Sequence, residues 1–135
     1  MVEIVVVTHG NLAVSLKETS EMLLGEQEHI HTFGLCLGES IDDLRDQVSD
    51  TLAKASQCGE VLVITDMVSG SPFNIVCSLM GEFQFEHLTG VNFPLFLEIL
   101  SNRDELSAHE LVEMSLNVGN GTIKDAKKYF EEVIE

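Results

Sequence analysis

The chain alternates short runs of β-branched residues with longer segments whose apolar positions recur at helical spacing. Residues 2–7 (Val-Glu-Ile-Val-Val-Val) are nearly continuous Val and Ile, the composition of a strand buried on both faces of a parallel sheet. Thr8-His9-Gly10-Asn11 punctuates. Residues 12–24 then place Leu12, Leu16, Thr19 and Leu23 on one side of a predicted helix, and Gly25 stops it. Residues 28–35 read as a weaker strand around Ile30 and Phe33. Gly38-Glu39-Ser40 leads into a helix from 41 to about 56, striped by Ile41, Leu44, Val48, Leu52 and Ala55, with Ser40 and Asp43 spaced for a capping contact. Gly59 separates that helix from residues 60–65 (Glu-Val-Leu-Val-Ile-Thr), a second strand buried on both faces.

Residues 66–71 predict a loop, and Pro72 suits the first turn of a helix running to about Met80. Residues 85–91 predict a fourth strand, after which Asn92-Phe93-Pro94 opens a helix through Leu100. From Ser107 the pattern is helical to the end, interrupted at 119–121. Ser107 with Glu110, and Thr122 with Asp125, are spaced as helix starts. Strands alternating with helices imply a parallel sheet, helices on both faces and right-handed crossovers. Four strands cannot close a (β/α)₈ barrel. The expected fold is an open, doubly wound α/β/α sheet with strand order 2-1-3-4.

A length of 135 residues makes one domain, 1–135, the expectation. No stretch approaches the roughly 20 apolar residues that span a bilayer. Residues 1–7 carry Glu3 and no basic region, unlike a secretory signal, so a cytoplasmic location is expected. Cys36, Cys58 and Cys77 are odd in number and widely spaced, which argues against a disulfide framework; they read as buried or half-buried structural thiols. The formal charge of −16 repels phosphate-rich polymers, which argues against nucleic acid and anionic membrane surfaces as partners. Two readings of that charge stay open, a solvated surface and a preference for basic protein partners.

In open α/β sheets the site lies beyond the carboxyl ends of the strands, where the strand order reverses. In the 2-1-3-4 order that point falls between the two most buried strands, which end at Thr8-His9 and Thr65-Asp66. Neighbouring strands are about 4.8 Å apart, so His9 and Asp66 come within hydrogen-bond reach. An Asp that accepts one ring N–H of a His fixes its tautomer, aims the ring and stabilises a cation-like product, which makes His9 a nucleophile. The small-residue run Ser69-Gly70-Ser71-Pro72 opens a helix whose N–H groups and dipole hold an anion, with the Ser69 and Ser71 hydroxyls as further donors. Gly10 and Asn11 offer a second set. In a chain this acidic, a phosphate binds only where oriented donors outweigh the general repulsion.

Other features carry less chemistry. His29 and His31 share one strand face, but no third metal ligand is evident at suitable spacing, so no metal is assigned. His87 and His109 read as surface or rim residues. Asn92 and Pro94 read as a turn and helix start, with a role at the site's rim left open. Phe73, Phe83, Phe85, Phe93 and Phe96 read as core. There is no GxGxxG or Walker sequence, so no nucleotide cofactor is expected.

At these residues the chain resembles the IIA component of the mannose/fructose/sorbose family of the sugar phosphotransferase system. The matching blocks are Ile4-Val5-Val6-Val7-Thr8-His9-Gly10 with Leu12-Ala13, then Glu21-Met22-Leu23-Leu24-Gly25-Glu26-Gln27-Glu28. Asp66 with Gly70-Ser71-Pro72-Phe73-Asn74 follows, and Gly90-Val91-Asn92 with Pro94 closes the set. The resemblance implies that His9 is phosphorylated, that Asp66 orients it and that Ser71 with neighbouring N–H groups holds the phosphoryl oxygens. It implies HPr as donor, a IIB component on a separate chain as acceptor and, through it, a IIC/IID membrane complex. It also implies a homodimer with an antiparallel edge strand exchanged between subunits, although residues 124–135 read as a charged helix. Val68 and Ser69 stand where the mannose-specific form has an aromatic residue and a Gly. Two alternatives remain at this stage: the phosphotransfer subunit of a dihydroxyacetone kinase, and a regulatory phospho-acceptor module. A phosphohistidine phosphatase is disfavoured because Arg45 and Arg103, the only arginines, lie away from predicted strand ends.

Overall fold

The computed structural model describes residues 1–134. Its elements, in chain order, are β1 (Glu3–His9), α1 (Leu12–Leu24), β2 (Ile30–Leu35), α2 (Ile41–Cys58), β3 (Val61–Thr65), α3 (Gly70–Leu79), β4 (Glu86–Thr89), α4 (Phe93–Asn102), α5 (Ala108–Val118), a 3₁₀ turn (Gly119–Thr122) and α6 (Ala126–Ile134). The four strands form one parallel sheet in the order β2-β1-β3-β4, as expected. Among the described residues there is no fifth strand, and the C-terminal run is helical.

β1 and β3 are buried because the strands beside them and the helices on both faces exclude water. Ile4, Val6, Leu62 and Ile64 pack with Ala13, Leu16, Phe96, Ile99 and Leu111 on one face. Val5, Val7 and Val63 pack with Leu44, Val48, Leu52, Ile75, Val76 and Leu79 on the other. β1 extends two residues beyond the predicted apolar run, so Thr8 and His9 belong to the strand, in register with Gly34 and Leu35. α3 begins at Gly70, two residues before Pro72, which removes Gly70 and Ser71 from the predicted loop.

Several local expectations hold and others move. Ser40 accepts from the Asp43 N–H, and Ser107 with Glu110 forms a complete capping box. Asn92 caps α4 by accepting from the Leu95 N–H. Thr122 caps nothing: its hydroxyl donates to the Gly119 carbonyl, and Asp125 accepts from the Lys128 N–H at the start of α6. In α1 the buried face is Ala13, Leu16 and Ser20, whereas Leu12 and Leu23 are exposed. Ile41 is likewise exposed at the start of α2. All three cysteines are exposed, which corrects the structural-thiol reading: Cys36 lies in the loop after β2, and Cys58 and Cys77 lie on the outer sides of α2 and α3. Phe96 is fully buried, while Phe83, Phe85 and Phe93 flank the core half-buried.

Candidate functional site

The 2-1-3-4 order puts the reversal between β1 and β3, and the two predicted side chains meet there. Asp66 Oδ2 accepts the backbone N–H of His9 at 3.0 Å and lies 2.9 Å from ring Nδ1. One oxygen therefore fixes both the main chain and the ring of the same residue. The His9 side chain is 47% exposed and that of Asp66 only 12% exposed, so the imidazole faces solvent from a largely buried support. Burial works to raise the Asp66 pKa, but the His9 backbone N–H, ring N–H and charge outweigh it, and the net shift is downward. Asp66 stays ionised at neutral pH and holds the ring proton on Nδ1. Nε2 is left as the available nitrogen.

Nε2 faces the start of α3. A methyl group placed on Gly70 would lie 2.9 Å from both Cε1 and Nε2 of His9, closer than side chains approach. Gly70 also has φ +85°, in the left-handed region that favours glycine. The ring thus rests on the Gly70 backbone at a helix N-terminus. In this first turn the Gly70 and Ser71 N–H groups have no intrahelical acceptor, and Pro72 carries no N–H to leave unpaired. Ser71 is half-buried beside them; Ser69, the residue before the helix, is exposed. Ser69 adopts φ 127° and ψ 165°, a conformation almost confined to glycine.

Gly10 behaves differently from expectation. Its φ of +55° makes the turn out of β1, but its N–H donates to the Leu35 carbonyl at 2.8 Å and is not offered to an anion. Two residues that sequence reasoning passed over shape this turn. Thr8 Oγ1 accepts the Ala13 N–H at 2.9 Å and holds the first turn of α1 against the strand. Gly34 is more restrictive, because a methyl group there would lie 1.9 Å from the Gly10 carbonyl oxygen. A glycine inside a strand often marks such a close backbone approach, and that was the available signal.

The other histidines resolve separately. His29 and His31 both contact buried Glu3, at 2.7 and 3.1 Å, on the opposite edge of the sheet. His109 is exposed between Glu86 and Glu113. His87 is not a rim residue: it is half-buried, with Nε2 2.8 Å from Thr65 Oγ1 and its ring 5.3 Å from that of Phe73.

The chain matches, over residues 3–116, the family described as "PTS system fructose IIA component". It belongs to the mannose-type IIA family of the sugar phosphotransferase system. It is similar to the fructose-specific EIIA component of Bacillus subtilis (strain 168), at 28% identity over 98% of this chain and 92% of that one. It is 36% identical to the mannose-specific EIIAB component of Escherichia coli (strain K12) over 93% of this chain, but spans only 40% of that longer protein. Among solved structures, the phosphotransferase system component EIIA from Streptococcus agalactiae superposes with a TM-score of 0.83 at 26% identity, covering 95% of this chain and 99% of that chain. The IIA protein associated with the fucose utilization operon of Streptococcus pneumoniae gives 0.80 at 29% identity, covering 96% and 99%. As a IIA component the chain has a phosphocarrier, transferase-type role in sugar uptake. Among the described residues, no helix is long and apolar enough to cross a membrane.

Proposed function

We propose that His9 receives a phosphoryl group on Nε2 from phosphorylated HPr in the cytoplasm and passes it to a IIB component on a separate chain. From there it reaches sugar entering through a IIC/IID membrane complex. The observation that carries this reading is the Asp66–Nδ1 contact of 2.9 Å, which leaves the second ring nitrogen facing the start of α3. In the transfer, the lone pair of Nε2 forms the new N–P bond as the donor's N–P bond breaks. The proton on Nδ1 stays in place, and Asp66 balances the positive character that the ring acquires. Such transfers pass through a loose transition state with charge spread over the phosphoryl oxygens, so positioning and oriented donors supply most of the catalysis. The Gly70 and Ser71 N–H groups and the Ser71 hydroxyl are the donors assigned here.

Protein partners suit the surroundings. Leu12, Leu37, Ile41, Met67 and Val68 are all exposed on loops or first turns at this edge, a concentration of apolar surface that marks an interface. α6 exposes Tyr129, Phe130 and Val133 on one side, which supports association into a homodimer through the C-terminal segment. The test is incubation with phosphorylated HPr carrying labelled phosphate. We expect an acid-labile, base-stable label that is absent in His9→Ala and is discharged by a IIB protein. Full labelling of His9→Ala would overturn the assignment. Discharge by a dihydroxyacetone kinase subunit instead of a IIB protein would redirect it.

A further inference from the structure

We infer that His87 is a positioning residue that braces both ends of the 66–69 loop and thereby holds Asp66 and the first turn of α3 in working geometry. The loop leaves β3 at Thr65 and enters α3 at Gly70. Across it, Met67, Val68 and Ser69 have exposed side chains, Ser69 is held in a strained conformation, and among the described residues none of the three hydrogen-bonds to another element. Its geometry therefore depends on its two ends.

His87 touches both. It lies on β4 in register with Val63, and its Nε2 is 2.8 Å from Oγ1 of fully buried Thr65, the residue directly before Asp66. Its ring lies 5.3 Å from that of Phe73, at a 38° tilt, in the opening turns of α3. Burial lowers the pKa of this ring, so at neutral pH it carries one N–H and one acceptor nitrogen, suited to pairing with a hydroxyl. Removing the nitrogen contact frees the Thr65 side chain. Removing the ring frees Phe73. Either change lets the loop relax its strain at the expense of the Asp66–His9 and Gly70–His9 spacing.

The experiment compares His87→Phe, which keeps an aromatic ring against Phe73 and loses the bond to Thr65, with His87→Gln, which keeps a polar partner for Thr65. The transfer arm uses labelled phosphorylated HPr and rests on the function proposed above. We expect His87→Phe to lower kcat about tenfold, less than the 10²-fold that a 1 Å misplacement can cost, with KM within twofold. His87→Gln should recover most of the loss. The second arm needs no donor. Nitrogen-15 shifts of the His9 ring report the Nδ1–H bond to Asp66, and they should move in His87→Phe and return in His87→Gln. Wild-type kcat and unchanged ring shifts in His87→Phe would overturn the brace. Should wild-type protein take no phosphate, the transfer reading fails and the ring shifts alone judge the brace. Should His87→Phe not fold, Thr65→Val removes the same bond from the other side and is read in the same way.

Discussion

The two edges of the sheet each hold a carboxylate against histidine. At the carboxyl edge, Asp66 grips His9; at the amino edge, Glu3 is buried between His29 and His31. His9 and His29 have the same side-chain exposure, 47%, so accessibility does not distinguish them. Their neighbours do. The ring of His9 lies over a glycine at a helix N-terminus, whereas the amino edge is closed by Arg103, which is buried and donates to the carbonyls of Val2, Glu28 and His29. On the proposed reading, a histidine–carboxylate pair becomes a group-transfer site when oriented donors face its second nitrogen. Set beside an arginine that ties down the surrounding backbone carbonyls, the corresponding pair at the amino edge is part of the scaffold.

The comparison breaks most readily at the carboxylates. Asp66→Asn should reduce the rate of His9 phosphorylation by about 10²-fold or more, because an amide no longer dictates the ring tautomer. Glu3→Gln should leave that rate within twofold while lowering the unfolding midpoint. Equal rate losses in the two variants would erase the distinction between the edges. The pH dependence sharpens it. Asp66 has a lowered pKa in the folded protein, so its stabilising contribution is present above the unfolded value of about 3.9 and lost as pH falls through the folded value. The stability gap between wild type and Asp66→Asn, followed by urea unfolding, should narrow only below about pH 4.

Arg103→Met tests the amino edge with an intermediate effect. Three backbone carbonyls lose a buried donor, and a loss of about 3 kcal/mol is expected in urea unfolding, with phosphorylation of His9 unchanged once the protein is folded. A tenfold fall in the transfer rate at full folding would show that the edges are coupled. The smallest effect is expected at Ser69→Gly. Relief of the φ 127° conformation should stabilise the protein by about 1 kcal/mol, measured by the same unfolding, with the rate within twofold. A destabilised variant would mean that the serine side chain contributes more than its backbone strain costs.

The layers and strand order were legible because Ile4 to Val7 and Leu62 to Ile64 are apolar on both faces, which only a covered parallel sheet accommodates. The meeting of His9 and Asp66 was legible from topology, since the strand ends at the reversal point converge whatever their detailed geometry. Side-chain hydropathy misled at α1. Small residues let that helix approach its neighbours, so Ala13 and Ser20 are buried while the larger Leu12 and Leu23 are not; the Ser20 hydroxyl is satisfied by the Lys17 carbonyl. Gly34 was passed over, and Gly10 and His87 were misread, for one reason. Their roles are set by the Gly10 carbonyl, the Leu35 carbonyl and the Thr65 hydroxyl, groups between 22 and 25 residues away that no local pattern exposes.

His9 is the last residue of an inner strand, paired with β2 and reached from the β3 side by Asp66. Were His9 to carry the transferred group as proposed, that cargo would travel on no swinging arm and be presented in only one direction. Giver and taker would then use the same doorstep in turn, each leaving before the other arrives.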